Sequence, residues 1–404
     1  MKPESLFGMA LGITPPWYVK SAEFSAEESR LDLYLDFRRG AHFPCPSCGA
    51  EGAKPYDTSE DTWRHLNFFQ HGTYLHARVP RVQCPRGCGV KRVEVAWARP
   101  DSGFTQLFEA YLMILLREMP VATVAAMVGE HDTRLWRVLH HYVEQARAKE
   151  DFSDVQKVGV DETSSRRGHR YISVFADLER AKVIFATEGK DMPVVAAFKR
   201  DLESHKGRLE NMQEVCCDMS PAFIAGFEEF FPTAQLTFDK FHVTRIISDA
   251  VDQVRRQEQR ERPELKRTRY LWLMNPDKLK QRQQTALESL TRMNLKTTRA
   301  YQLRLTFQDF WDLAQEDAES FLRKWFFWAT HSRLEPMRQA AWVIRRHWHG
   351  ILRWFISRVS NGILEAINGL IQAAKARARG YRSNRNLIAM TYLVAGKLRM
   401  DLPT

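Results

Sequence analysis

The sequence predicts a mixed α/β protein in which a small β-rich region and a helical region precede a larger sheet interrupted by helices. Three observations support this class. Apolar and polar residues alternate in the first hundred residues, apolar residues recur at helical spacing from about 104 to 148, and short strand-like and helix-like runs alternate from 158 to 238. A chain of 404 residues, 44% hydrophobic and 27% charged, is long enough to bury a separate core in each region.

The first region, residues 1–98, is predicted to contain short strands and turns. Leu31, Leu33 and Leu35 alternate with polar residues, which is the period of a half-buried strand. The apolar run from Leu6 to Ile13 is too short to span a bilayer and lacks the flanks of a signal peptide. We therefore expect a cytoplasmic chain with no membrane segment.

Four of the six cysteines form two closely spaced pairs. Cys45 and Cys48 enclose two residues, Cys84 and Cys88 enclose three, and thirty-five residues separate the pairs. Thiolates at such spacings can each supply half of a tetrahedral site, so a zinc ribbon with a structural Zn²⁺ is predicted. Four nearby histidines are less favoured ligands, because histidines are common in loops and strands: His42, His65, His71 and His76. The remaining cysteines, Cys216 and Cys217, are predicted to be small buried residues.

Residues 99–150 are predicted to form three helices with a tight second turn. Gly129 supplies the turn, Asp132 or Thr133 caps the next helix, and small Ala125 permits close helix crossing. This pattern is typical of a helix-turn-helix, and a plain helical hairpin is the alternative. In the first case Thr133, Arg134 and Arg137 face a DNA major groove, while Leu135, Val138 and Leu139 are buried.

The net charge indicates an anionic partner. Sixty Lys and Arg residues against forty-nine Asp and Glu residues leave +11. Nucleic acid is the first candidate and a membrane surface the second.

The third region, residues 151–404, begins with alternating strands and helices. Strands are predicted at 158–160, 170–177, 182–187, 213–217 and 235–238, with helices at 193–203 and 221–230. From 240 to about 353 the chain is predicted to be helical, and it is strongly basic.

Three carboxylates stand in matching contexts. Asp161 and Asp218 each end an apolar strand, and these two strands can lie side by side. Glu365 shares one predicted helix face with Asn361 and Asn368. Three clustered acids require cations, and oxygen ligands favour two Mg²⁺ or Mn²⁺ ions suited to phosphoryl transfer. Nearby acids offer alternatives for the first position: Glu162, Asp177 and Asp191.

The segment after Glu365 is predicted to bind phosphates. It carries seven Lys and Arg residues and no acid as far as Met400. The candidate DNA-binding residues are Lys375, Arg377, Arg379, Arg382 and Arg385. A solvated basic helix is the simpler alternative.

The order of these motifs resembles the bacterial insertion-sequence transposases of the ISL-three group. The resemblance rests on the cysteine ribbon, the helix-turn-helix, Val-Gly-Val-Asp161-Glu, Cys-Asp218-Met-Ser, Phe-Asp239-Lys-Phe-His242-Val, and the Glu365 motif with its basic sequel, and it covers nearly the whole chain. It implies a ribonuclease-H-like mixed sheet with a large helical insertion and a catalytic triad of Asp161, Asp218 and Glu365. Asp239 and His242 match a second signature and are expected to be auxiliary residues near the metal.

The resemblance also implies a reaction and partners. Such enzymes cut double-stranded DNA at terminal inverted repeats and join the ends to target DNA, which requires a homodimer or larger synaptic complex at the bacterial nucleoid. Two alternatives stay open: a non-catalytic DNA-binding protein derived from a transposase, and a structure-specific ribonuclease-H-like nuclease.

Overall fold

A computed structural model describes residues 2–166, 168, 170–359 and 362–403. The chain divides into two compact units, Met1–Tyr142 with Arg399–Thr404, and Val143–Leu398. Within the described residues, no helix combines the length and apolar character needed to cross a membrane.

The first unit contains a five-stranded sheet. Its strands are β1 (Trp17–Ser25), β2 (Arg30–Phe37), β3 (Pro55–Phe68), β4 (His71–Gln83) and β5 (Val90–Arg92). The order is β1-β2-β4-β3, with β5 pairing with β4, and only β2 and β4 run parallel. Leu31, Leu33 and Leu35 are buried as their alternation predicts, and they pack with Trp63 and Trp97.

Four helices belong wholly or mainly to this unit: α1 (Pro3–Ala10), α2 (Gln106–Glu118), α3 (Val121–Val128) and α4 (Asp132–Arg147). The side chain of Thr105 caps α2 by accepting from the N–H of Phe108. Gly129 ends α3 in the left-handed region at φ 69°, which only glycine adopts without strain. The predicted tight turn is therefore confirmed.

The second unit contains a mixed sheet of β6 (Lys157–Arg166), β7 (Arg170–Asp177), β8 (Lys182–Glu188), β9 (Glu214–Cys217) and β10 (Gln235–Phe238). The order is β10-β9-β6-β7-β8. The β10–β9 and β9–β6 pairs are parallel, and the β6–β7 and β7–β8 pairs are antiparallel. The predicted strands and the helices between them are confirmed.

Along the chain, helix α5 (Met192–Ser204) connects β8 to β9, and helix α6 (Pro221–Phe230) connects β9 to β10. The stretch after β10 is helical, as predicted. It comprises α7 (Lys240–Glu258), α8 (Arg269–Leu273), α9 (Gln281–Thr291), α10 (Lys296–Asp309), α11 (Gln315–His331), α12 (Glu335–Arg346) and α13 (Trp348–Ser357). Two helices, α14 (Gly362–Arg377) and α15 (Asn384–Ala395), follow it.

The two faces of the second sheet are covered differently. Val160, Cys217 and Phe238 belong to a large core that continues into the helical stretch. On the opposite face Gly159 lies under α14, because a Cβ at Gly159 would meet Leu364 Cδ1 at 2.6 Å. The absence of a side chain at this position thus allows α14 to approach β6 closely.

Two predictions about elements are wrong. The first region, predicted to contain only strands and turns, also contains the helix α1. None of the residues of α1 is fully buried, and its sequence lacks the clear apolar face from which a helix is predicted. Strand β6 continues to Arg166 instead of ending at Asp161, because β7 pairs with it over that whole length. The parallel pairing with β9 ends at Gly159, so Asp161 lies two residues beyond it and inside the strand.

Candidate functional site

The four paired cysteines converge on one point. Cys45 and Cys48 lie in the loop between β2 and β3, and Cys84 and Cys88 lie between β4 and β5. Their sulfur atoms all lie within 4.8 Å of one another, and Cys48 Sγ is 3.5 Å from Cys84 Sγ. A tetrahedron of zinc–sulfur bonds requires sulfur separations of about 3.8 Å, so the four thiols fit Zn²⁺.

Backbone turns hold each cysteine pair. The N–H of Gly49 donates to the carbonyl of Cys45 at 2.8 Å, and the N–H of Cys84 donates to the carbonyl of Gly89 at 3.0 Å. Backbone hydrogen bonds from Cys88 and Arg86 lower the pKa of Cys84 to about 6, and hydrogen bonding with Cys48 raises the pKa of Cys88 to about 12. Crowded thiols of this kind favour a bound cation, which stabilises all of them as thiolates.

Three of the alternative histidines are held elsewhere. His65 Nδ1 lies 2.8 Å from Thr105 Oγ1, His76 Nε2 lies 2.6 Å from Asp32 Oδ1, and the His71 ring packs edge-on against Phe24. His42 is exposed outside the group of four cysteines.

The helix-turn-helix is formed by α3 and α4. Leu135, Val138 and Leu139 are fully buried, whereas Thr133 and Arg137 are exposed, as the spacing predicts. The helix begins at Asp132, and the ring of His131 accepts from the N–H of Thr133 at 3.3 Å. The same ring nitrogen lies 2.9 Å from Thr133 Oγ1, so His131 and Thr133 are linked at this helix start, and the predicted cap by Asp132 or Thr133 stays a prediction.

Arg134 is tied to its own unit. Its guanidinium donates to the carbonyl of Gly103 at 3.0 Å, pairs with Glu130, and stacks 4.1 Å over the ring of Phe104. These contacts brace the start of α4, and the role predicted for Arg134 at DNA stays a prediction. Arg137 is the exposed arginine of this helix face.

The acidic residues form a row across three neighbouring parallel strands. Gly159 is level with Cys216, and Phe238 is level with Cys217. Continuing these registers places Asp161, Asp218 and Asp239 side by side at the carboxyl ends of the parallel pairs. Because side chains alternate along a strand, this row lies on the face of Gly159, beneath α14.

Asp161 is held by two hydrogen bonds. The N–H of Glu162 donates to its Oδ1 at 2.8 Å, and the Asn368 amide donates to its Oδ2 at 2.8 Å. Burial raises the pKa of Asp161, and the charges of Asp218 and Asp239 raise it further. The structure therefore brings Asn368 into the acidic row, 207 residues along the chain from Asp161.

Asp239 and His242 form the adjoining pair. Asp239 precedes α7 and is almost fully buried, and His242 Nδ1 lies 3.2 Å from its Oδ2. This contact raises the pKa of His242, and the charges of Asp161 and Asp218 act in the same direction. The histidine is therefore biased towards its protonated form beside the acids.

Glu365 lies in the first turn of α14, one turn before Asn368 on the same helix face. Its side chain is exposed. Among the described residues, the carboxylates of Asp161, Asp218 and Glu365 do not form a group within 4.8 Å comparable to the cysteines. Asn361, predicted on this face, lies outside the described residues.

The alternative acids occupy other places. Asp177 accepts from the N–H groups of Glu179 and Arg180 and thereby caps the β7–β8 turn. Asp191 is exposed and directly precedes α5. Glu162 is half-buried, and burial and Asp218 raise its pKa. Cys216 and Cys217 are buried, as predicted.

The basic residues after Glu365 separate into different surroundings. Lys375 Nζ donates to the carbonyl of Ser164 at 2.6 Å, beside β6. Arg379 and Arg382 are exposed and line a cavity together with Lys375. Arg377 is exposed outside that lining, and Arg385 pairs with Glu144 at 3.0 Å.

A helix-turn-helix, a four-cysteine ribbon and an acidic row on a mixed sheet define a DNA-binding protein with a nuclease-like site. Residues 158–391 match the family model of the ISL3 DDE domain, described as a transposase. Residues 93–143 match the helix-turn-helix domain of transposase family ISL3, and residues 42–88 match the zinc-finger of transposase IS204/IS1001/IS1096/IS1165. Because the first match covers more than half of the chain, this protein belongs to the ISL3 family of DNA transposases.

Curated relatives agree with this family. The chain is 26% identical over 444 residues to the transposase for insertion sequence element IS1557 of Mycobacterium tuberculosis, covering 100% of this chain and 98% of that protein. It is 27% identical over 351 residues to the transposase for insertion sequence element IS1001 of Bordetella parapertussis, covering 84% and 85%. The predicted family, the ribonuclease-H-like fold class and the DNA transposase function are confirmed.

The family implies a divalent metal at the acidic row, and the residues present fit one. Carboxylate and amide oxygens are the ligands of hard cations, and the raised pKa of Asp161 reflects negative charge crowded at a buried position. The buried Oδ1 of Asn368 has no hydrogen-bond partner among the described residues, so it is a further oxygen beside Asp161.

Proposed function

We propose that this transposase cuts DNA at terminal inverted repeats and joins the freed ends to target DNA, using Mg²⁺ or Mn²⁺ held by Asp161, Asp218 and Glu365. The observation that carries this proposal is the register that makes Asp161 and Asp218 neighbours beneath the helix bearing Glu365. Two such ions, if held by these three carboxylates, would activate the attacking oxygen and stabilise the leaving oxygen of an in-line phosphoryl transfer.

The protein's own groups position this chemistry. Asn368 and the N–H of Glu162 each hold one oxygen of Asp161, so the carboxylate keeps one orientation. Glu365 is exposed at the start of α14 and is therefore free to turn towards the row. Asn361 is proposed to assist on the same side.

We propose that Asp239 and His242 assist at the scissile phosphate. The contact with Asp239 raises the pKa of His242 and so favours its protonated form, and a protonated imidazole can donate a hydrogen bond to a phosphate oxygen or a proton to the leaving oxygen. The pair would thus act beside the metal without being required to bind it.

We propose that successive segments of the chain have different functions. Residues 1–98 and 99–150 recognise the element ends, with Thr133 and Arg137 at the DNA, and residues 151–404 perform catalysis around a helical insertion at about 240–353. The family matches at 42–88, 93–143 and 158–391 support this division. Two ends must be held together, so we propose a homodimer or larger complex acting at the bacterial nucleoid.

The decisive experiment is cleavage and joining of labelled duplexes that carry the inverted repeats flanking the gene, with Mg²⁺ or Mn²⁺. We expect Asp161→Asn, Asp218→Asn and Glu365→Gln to retain DNA binding and to lose cleavage. Asp249→Asn, which changes an exposed acid of α7, is the matched control and should cut normally.

Each contrary outcome has a distinct meaning. A wild-type protein that binds the repeats but never cuts would be a non-catalytic DNA-binding protein. Preference for a four-way junction over the linear repeat would identify a structure-specific nuclease. Normal cleavage by any triad variant would remove that residue from the catalytic assignment.

A further inference from the structure

A basic groove lies beside the acidic row of the second unit. It has a volume of about 980 Å³ and is lined by residues from β6, from the end of α14 and from the turn after it. Four of the lining side chains are cationic and none is acidic: Arg166, Lys375, Arg379 and Arg382. Gln372 and Tyr381 contribute further polar groups.

The groove exists because β6 extends beyond its parallel neighbour. Pairing with β9 ends at Gly159, whereas pairing with β7 continues to Arg166. The extension forms an arm along which α14 runs. Leu364 faces Gly159, and Lys375 binds the carbonyl of Ser164. The intervening eleven helical residues and five strand residues each span about 16 Å, so helix and strand stay aligned.

Side-chain hydrogen bonds fasten this alignment. Gln372 Nε2 donates to Thr163 Oγ1 at 2.7 Å, one turn beyond the Asn368 contact with Asp161. Arg166 Nη2 donates to the carbonyl of Tyr381 at 3.2 Å, which joins the end of the arm to the turn after α14. The groove is therefore built from the same helix and strand that carry the proposed catalytic residues.

The position of the groove relates it to the scissile bond. Ser164, at its nearer end, lies three residues beyond Asp161 on β6, which corresponds to about 10 Å. Phosphates of one DNA strand follow each other at about 3.4 Å along the helix axis. A strand cut at the acidic row would therefore reach the groove within about three nucleotides.

We propose that this groove binds the sugar–phosphate backbone of the DNA strand next to the scissile bond, irrespective of base sequence. The proposal rests on the proposed function, and it adds Arg166 and a position on the strand next to the scissile bond. Guanidinium groups bind phosphate oxygens in a bidentate manner, and the described lining carries three of them beside the Lys375 ammonium. Arg385 pairs with Glu144 and lies outside this groove.

The test uses the full-length protein and a short labelled duplex of arbitrary sequence, with binding measured between 50 and 200 mM salt. The double variant Arg379→Gln/Arg382→Gln changes two exposed side chains and should fold normally. We expect its plot of log affinity against log salt to lose a slope of about 0.9 for each phosphate contact removed. Arg379→Lys/Arg382→Lys keeps the charge and should retain most of the slope.

The matched control is Arg323→Gln/Arg338→Gln, which removes the same charge from two exposed arginines, each paired with a glutamate of its own helix. An unchanged slope in the groove variant, or an equal fall in this control, would overturn the proposal. Arg166→Gln tests the contribution of the β6 extension to the same slope. If Arg166→Gln fails to fold, the variants of Arg379 and Arg382 still test the groove.

Hydroxyl-radical footprinting on a duplex carrying the inverted repeat tests the location. The wild type should protect the backbone within about three nucleotides of the cut, and Arg379→Gln/Arg382→Gln should lose that protection while keeping protection of the repeat. Protection that is unchanged in the variant argues against the groove even if the wild type cuts. Failure of the wild type to cut with metal refutes the proposed function alone, because the salt dependence of binding is measured without cleavage and remains interpretable.

Discussion

Single residues decide how closely the elements around the acidic row approach one another. Gly159 permits α14 to lie on β6, and Asn368 then reaches Asp161 at 2.8 Å. Arg134 was predicted to face DNA, and its guanidinium instead donates to the carbonyl of Gly103 within the same unit. Residue type and spacing suggest a role for such side chains, and the contacts determine it.

Substitution of Gly159 by alanine should destabilise the second unit. The new Cβ would meet Leu364 Cδ1 at 2.6 Å and Leu178 Cδ2 at 2.8 Å, both within packed surroundings. We expect a loss of about 1–3 kcal/mol in the free energy of unfolding, measured by urea denaturation. Gly369 lies in α14, the helix that carries Leu364, and a Cβ there would meet nothing within 4 Å. Gly369→Ala should therefore raise the free energy of unfolding by up to about 1 kcal/mol. Equal effects of the two changes would refute the steric explanation.

His65 should make the first unit less stable in acid. Burial lowers the pKa of His65 from 6.5 to about 4, and its ring Nδ1 lies 2.8 Å from Thr105 Oγ1. Because the folded pKa is below the unfolded one, the unfolded chain binds more protons between pH 6.5 and 4. This contribution is complete above pH 6.5 and is lost as the pH falls, by up to about 3 kcal/mol at pH 4. Denaturation of His65→Gln should show a shallower pH dependence, and an identical one would contradict this account.

The first unit contains two elements that we propose recognise DNA, the cysteine ribbon and the helix-turn-helix. The cysteine pairs lie in loops at the ends of strands, whereas the helix-turn-helix presents Thr133 and Arg137 from an exposed helix start. The ribbon depends on a metal for its local structure, and the helices have an apolar core containing Leu112, Val124 and Leu139. Loss of a cysteine should therefore affect the ribbon through its metal, whereas substitutions in the helix-turn-helix should act through packing or DNA contacts.

Substitution of Cys45 by serine should remove the zinc. We expect about one Zn²⁺ per wild-type chain by elemental analysis, none in the variant, and reduced thermal stability of the ribbon, because three thiolates bind zinc more weakly than four. Cys216→Ala is the matched control, since Cys216 is buried in the second unit. Zinc retained by Cys45→Ser, or lost by Cys216→Ala, would refute the assignment.

Arg137 and Arg134 should behave oppositely although they are one helical turn apart. Arg137→Gln should weaken binding to inverted-repeat DNA with an unchanged melting temperature, because the side chain is exposed. Arg134→Gln should lower the melting temperature, because it removes contacts to Gly103, Glu130 and Phe104. Calorimetry together with a DNA-binding assay separates the two effects, and a reversed pattern would show that Arg134 is the DNA-reading residue.

At the scale of the whole molecule, transposition joins two DNA ends and the proposed assembly needs at least two chains. The net charge of +11 assists the encounter with DNA, but it does not align two ends. Alignment requires symmetric or repeated contacts between copies of the chain.

Mixing wild-type chains with Asp161→Asn chains should reveal that assembly. If joining needs two active chains, an equal mixture retains about a quarter of the joining activity, whereas independent chains retain about a half. The measurement is strand joining at constant total protein. Addition of Asp249→Asn chains should leave the activity unchanged, and a linear response to Asp161→Asn would contradict the dimer.

Local patterns were sufficient to predict much of the fold. The period of two identified the strand containing Leu33, helical spacing identified the buried face of α4, and cysteine spacing identified the ribbon, because each signal is contained in a few neighbouring residues. Helix α1 was not predicted, although Pro3 and Glu4 provide a helix-start signal, because it buries no side chain of its own.

By itself, the sequence determined the family, the order of the elements and the acidic candidates of this transposase. Only the tertiary structure decided which distant residues meet: Asp161 with Asn368, Arg166 with Tyr381, and Arg134 with Gly103. The physical reason is that periodicity reports which face of an element is apolar, whereas contacts between distant residues depend on strand register and helix packing. Those are set by the whole core, and by single permissive positions such as Gly159.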